Sequence, residues 1–263
     1  LIEPVLVGPE ARIRATAAAA EVDLAPYRIV GVEHSHAAAA RAVALALAGE
    51  VAALMKGSLH TDELMSAVVA RNGGLRTARR ISHVFLLDVP SYPRLLLVTD
   101  AAVNVAPDVA TKADILQNAF DLAHAIGIDE PKAAVLAAVE TVNPAMAATV
   151  DAAMLCKMVD RGQISGGLVD GPLAFDNAIN EEAARIKGIN SPVAGRADIL
   201  LAPNLEAGNM VAKQLQYLAG ATASGIVLGA RVPIALTSRA DGVSARMASA
   251  LRAKSEDVVS IVE

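Results

Sequence analysis

An α/β fold with mainly parallel sheets and helices on both faces is predicted by three observations. Short runs rich in β-branched residues alternate with alanine-rich windows almost from end to end, the pattern of strand–helix–strand units. Apolar residues make up 54% of the chain and aromatics only 2%, so the core must be built from Ala, Val, Leu and Ile in thin, closely spaced layers. At 263 residues the chain exceeds the usual size of one compact domain and has room for two α/β units.

The elements follow in order. Strands are expected over 4–7, 27–32 and 51–56, each followed by a helical window, over 9–21, 36–49 and 61–72. Two strands, 81–89 and 94–103, then succeed each other with only Pro90-Ser91-Tyr92-Pro93 between them, which predicts a hairpin and a locally antiparallel piece. Pro107-Asp108 reads as a helix start. From there the alternation resumes as a second unit: helix 108–126, strand 133–140, helix 145–161, strand 164–170, helix 173–187, strand 197–202, helix 206–219 and strand 225–228. A strand over 233–237 and a final helix over 241–253 close the chain.

Charge and cysteine use exclude several function classes. A net charge of −5 lacks the basic footprint that nucleic acid or an anionic membrane surface requires, and the few aromatics leave no stacking platform for single strands. Arg41, Glu50, Glu140 and Pro144 interrupt the longer apolar stretches, so no run of about 18 residues could span a bilayer. Cys156 is the sole cysteine; it forms no intramolecular disulfide, which suits a reducing cytoplasm, and reads as a small apolar core residue. The chain begins at Leu1, almost directly with a strand, and residues upstream of it are expected.

Four segments carry candidate chemistry. Thr237-Ser238-Arg239-Ala240 ends an apolar run, setting a hydroxyl and a guanidinium where open α/β sheets bind ligands, beyond the carboxyl ends of strands. A hydroxyl with a guanidinium suits phosphate, although a lone arginine is as often solvated surface charge. Asp241 follows, as a candidate base or an ordinary N-cap. Asn204, Glu206 and Asn209 gather where the strand 197–202 turns into a helix, whose N-terminus favours anions; capping by Asn204 accounts for part of this as well.

Lys56, Gly57, His60 and Thr61 lie on a strand-to-helix turn of the kind that approaches a phosphate or carbonyl through backbone amides. The turn lacks the Gly-Lys-Ser/Thr ending of a P-loop. Asp170 and Asp176, in Asp170-Gly171-Pro172-Leu173-Ala174-Phe175-Asp176, are read first as structural. Glu33-His34-Ser35-His36 suggests a metal only superficially, since no third ligand is evident; a partly exposed pair at a strand end is expected, and Ser35 lacks a Gly-x-Ser-x-Gly elbow.

Ser191-Pro192-Val193-Ala194-Gly195-Arg196 through Glu206-Ala207-Gly208-Asn209, together with Thr-Ser-Arg-Ala at 237–240, the Asp170 block and the Lys56 turn, resemble the phosphate acetyl/butyryltransferase family. The resemblance implies two three-layer α/β domains arranged as in isocitrate and isopropylmalate dehydrogenases, with a cleft between them. It divides the chain into a discontinuous first domain, 1–105 plus 232–263, and an inserted second domain, 106–231. It also implies reversible transfer of a short acyl group, acetyl or butyryl, between coenzyme A and inorganic phosphate. Ser238 and Arg239 would be catalytic, with the serine near the reacting carbonyl and the arginine on the phosphoryl group.

By the same resemblance, Asp241 would take the thiol proton, and Lys56, Gly57, His60, Thr61, Asn204, Glu206 and Asn209 would bind substrate. Coenzyme A would be a co-substrate, with no tightly bound cofactor and no metal, and the chain would form a homodimer or a higher homo-oligomer. Asp241 sits three residues after Ser238, a spacing nearer the butyryltransferase branch. A non-catalytic coenzyme A or acyl-CoA-binding module of a larger polypeptide is the alternative. An NAD-dependent dehydrogenase of similar architecture is disfavoured by the missing Gly-x-Gly-x-x-Gly fingerprint.

Overall fold

The structure, a computed structural model, describes residues 3–236. In chain order its elements are β1 (Val5–Gly8), α1 (Glu10–Ala19), β2 (Arg28–Gly31), α2 (Ser35–Leu47), β3 (Leu54–Met55), α3 (Thr61–Val68), β4 (Ser82–Asp88), β5 (Leu96–Thr99) and α4 (Val109–Ala125). There follow β6 (Lys132–Leu136), α5 (Ala147–Asp160), β7 (Leu168–Leu173), α6 (Phe175–Ile179), α7 (Glu181–Ile186), β8 (Ile199–Leu201), α8 (Leu205–Leu218), β9 (Thr222–Leu228) and β10 (Ile234–Ala235). Ser238, Arg239, Asp241 and the helix expected over 241–253 lie outside the described residues.

The chain divides into two compact units: residues 3–78 with 230–236, and residues 79–229. In the first, β1 and β2 pair in parallel, as do β3 and β10. Helix α2 forms because Ala39, Val43 and Ala46 repeat at a helical spacing and are all buried, and because His34 accepts a hydrogen bond from the Ala37 N–H at its start. Leu64 and Val68 are the buried positions of α3, which packs on α2.

In the second unit the strand order is β9-β4-β5-β8-β6-β7. Strand β4 runs antiparallel to both β5 and β9, while β5, β8, β6 and β7 are parallel neighbours. Strands β5 and β8 are buried at every position, as expected for parallel strands covered on both faces. Leu96 and Val98 join a core with Leu200, Val193 and Ala212 of α8. Leu97, between them, points to the opposite face. Helix α4 packs on β4 and β5 and buries Ile115, Leu116, Ala119, Phe120 and Ala123; Asp108 caps it by accepting from the Thr111 N–H at 2.8 Å.

Strands β3, β5 and β6 are shorter than the 51–56, 94–103 and 133–140 expected from sequence, and three further differences have an identifiable cause. The hairpin β4–β5, grouped by sequence with the first domain, belongs to the second unit, because β4 carries the full antiparallel ladder to β9. The window 173–187 is two helices, since the Asn180 backbone is extended (φ −126°, ψ 113°) and its side chain caps α7 by accepting from the Ala183 N–H. Strand β7 starts at Leu168 rather than 164, because Gly166 at φ +99° and the tightly packed Gly167 turn the chain just before it.

Candidate active site

In the first unit the candidate residues lie at the carboxyl ends of parallel strands. Ile234 pairs with Leu54 and Ala235 with Met55, and the Lys56 N–H donates to the Ala235 carbonyl at 3.0 Å. The carboxyl end of β10 therefore emerges beside the Lys56–Gly57 turn, and Ser238 and Arg239 follow Ala235 by three and four residues.

The turn itself is well ordered chemically. Lys56 is buried, and its Nζ donates to the carbonyls of Gly57 and Leu59, each at 3.2 Å, closing the loop onto its own strand end. Gly57, Ser58 and His60 are exposed. A Cβ added to Gly57 would meet nothing within 4 Å, so the backbone there is open to whatever approaches it. Glu63, one turn into α3, accepts the His60 N–H at 2.9 Å on Oε2 and the Ser35 hydroxyl at 2.7 Å on Oε1, and His36 Nδ1 stands 3.2 Å from Oε1. The Ser35 hydroxyl, and next the His60 amide, hold the Glu63 carboxyl below its ordinary value of 4.5. The histidine-rich Glu33–His36 stretch is thus a helix start and a clamp: His34 caps α2, and His36 is 73% exposed.

In the second unit the candidates again sit beyond strand ends. Asn204 caps α8 by accepting from the Ala207 N–H at 2.9 Å. Asn209 Nδ2 donates to the Ala101 carbonyl at 3.1 Å, and the Leu205 N–H donates to the Val105 carbonyl at 3.1 Å. These bonds fasten α8 to the loop after β5. That loop is folded around buried Asp100, whose carboxylate accepts the backbone N–H groups of Ala102, Val103 and Asn104 and the Asn104 amide. Gly208 permits the approach, since a Cβ there would stand 2.5 Å from the Asp100 carbonyl oxygen. Asn204, Glu206 and Asn209 are brought together on one turn, and of the three Glu206 is exposed.

At the β6–β7 end, Glu140 accepts from Asn177 and binds Lys187, which also lies 3.6 Å from Asp176. Asp176 thus takes part in an ion-pair group, and Asp170 Oδ1 accepts the Gly171 N–H at 2.8 Å. Cys156 is half-buried, with Sγ 3.6 Å from the Gly171 carbonyl, and burial pushes its thiol up to about 11. No group of three or more His, Cys, Asp and Glu side chains that could hold a metal occurs among the described residues.

A family model described as Phosphate acetyl/butaryl transferase matches residues 32–253. The chain belongs to that family. Phosphate acetyltransferase of Rhizobium meliloti is 63% identical over 249 residues, covering 95% of this chain and 79% of that protein. Phosphate butyryltransferase of Clostridium beijerinckii is 43% identical over 249 residues, covering 95% of this chain and 82% of that protein. Among solved structures, a branched-chain phosphotransacylase from Enterococcus faecalis V583 superposes with a TM-score of 0.79 at 33% identity, covering 86% of this chain and 82% of that one. These relatives decide between the two readings left open by sequence in favour of an enzyme, a phosphate acyltransferase.

Two groups escaped the sequence reading. Glu63 joins Ser35 across 28 residues of sequence; its only signal was an acidic residue three places after His60, the spacing of a capping box. Asp100 and Asn104 resemble ordinary turn residues in sequence, and only the fold shows that they shape the loop against α8.

Proposed function

We propose that this phosphate acyltransferase moves an acetyl or butyryl group reversibly between coenzyme A and inorganic phosphate by direct attack, with Ser238, Arg239 and Asp241 as its catalytic residues. In the acyl-phosphate-forming direction, a phosphate oxygen attacks the thioester carbonyl, the carbon–sulfur bond breaks, and coenzyme A leaves as its thiolate. In reverse, Asp241 takes the thiol proton, sulfur attacks the acyl phosphate carbonyl, the carbon–oxygen bond breaks, and phosphate departs. Arg239 holds the phosphate through both directions by charge-assisted hydrogen bonds, and Ser238 stands by the carbonyl. Positioning and proton transfer carry the reaction, without an acyl-enzyme.

Lys56, Gly57, His60 and Thr61 bind the phosphate end of the substrates, and Asn204, Glu206 and Asn209 bind coenzyme A, Asn204 and Asn209 by shaping the turn that presents Glu206. Coenzyme A is a co-substrate, and no tightly bound cofactor is needed. The enzyme acts in the cytoplasm as a homodimer or higher homo-oligomer; no helix among the described residues is long and apolar enough to cross a membrane.

The observation that carries this reading is the parallel register of β10 on β3, in a chain of this family. That register sets Ala235 beside an exposed glycine turn, and Ser238 and Arg239 come three and four residues later in the sequence, which supports the reading. Arg239→Ala is the test: it removes phosphate-dependent thiol release from acyl-CoA while the circular dichroism spectrum and melting temperature stay as in the parent. Near-normal turnover in a folded Arg239→Ala protein overturns the assignment.

A further inference from the structure

The β2–α2 and β3–α3 connections of the first unit are joined through one side chain. Glu63 is 12% exposed and receives three groups from two different segments: the Ser35 hydroxyl at 2.7 Å and His36 Nδ1 at 3.2 Å on Oε1, and the His60 N–H at 2.9 Å on Oε2. A carboxylate is an acceptor at both oxygens and so meets donors from both sides. An amide in its place would present an NH₂ towards either Ser35 and His36 or the His60 N–H. The Lys56–His60 turn is thus tied twice, from within by Lys56 Nζ on the Gly57 and Leu59 carbonyls and from outside by Glu63. The second tie reaches across to the start of α2, so the turn's shape depends on a residue that lies outside it.

We infer that Glu63 is a positioning residue for phosphate binding: clamped by Ser35, His36 and the His60 amide, it holds the Lys56–Thr61 turn in the shape that receives phosphate. This rests on the reading that the turn binds the phosphate end of the substrates. Glu63 itself touches no substrate. It acts through the exposed backbone of Gly57 and Ser58 and through His60, and its influence is therefore on binding more than on the chemical step.

Glu63→Gln and Ser35→Ala, assayed with acetyl-CoA and inorganic phosphate, separate this role from a merely structural one. A misplacement of about 1 Å can cost up to roughly 100-fold, and a partly retained clamp costs less. The KM for phosphate should rise on the order of 10-fold in Glu63→Gln, with kcat at saturating substrates within about twofold of the parent. Ser35→Ala should move the same KM in the same direction by less. The double variant should resemble Glu63→Gln alone, because both remove parts of one network.

An unchanged KM for phosphate in folded Glu63→Gln overturns the proposal, whatever happens to its melting temperature. Should Glu63→Gln fail to fold, Ser35→Ala decides by the same readout, a KM at the parent value again overturning it. Gly57→Ala separates the proposal from the reading beneath it. If Gly57→Ala raises the KM for phosphate and Glu63→Gln does not, Glu63 has no positioning role and the turn still binds. If neither moves it, the turn is not the phosphate site and both fall.

Discussion

Gly208→Ala sets two effects of known size against each other. Alanine in the first turns of α8 should gain about 1 kcal/mol of helix propensity over glycine. Its Cβ, however, would stand 2.5 Å from the Asp100 carbonyl oxygen, 3.2 Å from Ala101 Cα and 3.1 Å from Ala202 Cβ. The first of these is about 1 Å inside ordinary contact. Two of the three obstacles are backbone atoms of a loop that the Asp100 carboxylate holds folded, so α8 must move instead. Overpacking of this kind costs about 1–3 kcal/mol.

Moving α8 also stretches the Asn209–Ala101 and Leu205–Val105 hydrogen bonds, each worth about 0.5–1.5 kcal/mol. Strain therefore wins, by about 2 kcal/mol net. Thermal denaturation followed by circular dichroism should show a melting temperature lower by about 4–8 °C. Gln214→Ala on the exposed side of the same helix should stay within about 0.5 kcal/mol of the parent. A Gly208→Ala protein as stable as the parent or more so would refute the close approach of α8 to the Asp100 loop.

Three further outcomes can be measured, two from the geometry and one from the proposed reaction. With its thiol pushed up to about 11 from an ordinary 9.0, Cys156 should react with a thiol reagent at pH 8 about 100-fold more slowly in the native protein than after denaturation; equal rates would show that it is not shielded. The Lys112–Asp151 pair, 2.6 Å apart with the lysine 5% exposed, should make Lys112→Met costly, about 3 kcal/mol in urea unfolding, because Asp151 is left without its partner. Lys112→Met/Asp151→Leu should recover most of that loss, and a double variant worse than the single contradicts the pairing argument. Initial-velocity plots with acyl-CoA and phosphate both varied should intersect, as a direct transfer requires; parallel lines would indicate an acyl-enzyme and a ping-pong course.

Much of the architecture was legible in sequence because the signals were local. Pro107-Asp108 and Asn204 announced the starts of α4 and α8, and each side chain makes its cap. Pro90 to Pro93 announced the β4–β5 hairpin. The failures were of two kinds. Asn180 breaks the 173–187 window because one residue serves as the end of α6 and the cap of α7, a choice that composition does not reveal. The hairpin's membership of the second unit depends on β9, more than 130 residues later in the chain.

Of the candidate site, the position of Lys56 to Thr61 and of Asn204 to Asn209 on strand-to-helix turns was legible in sequence; what their side chains contact was less so. Asn204 and Asn209, read as substrate-binding, have side chains engaged in capping α8 and in holding the Ala101 carbonyl, so what the fold shows of them is the shape of the turn. Glu63 was invisible because its partner Ser35 comes from a different connection, and single-sequence patterns carry no such long-range pairing.

The most direct test of the account is the stoichiometry of acyl transfer. Acetyl-CoA and butyryl-CoA are incubated with the enzyme at increasing inorganic phosphate, and free thiol and acyl phosphate, trapped with hydroxylamine as the hydroxamate, are measured together. Thiol release should depend on phosphate and saturate with it, acyl phosphate should appear mole for mole with free coenzyme A, and both should be lost in Arg239→Ala. Thiol release that proceeds equally without phosphate, or that yields free carboxylic acid in place of acyl phosphate, would contradict acyl transfer to phosphate.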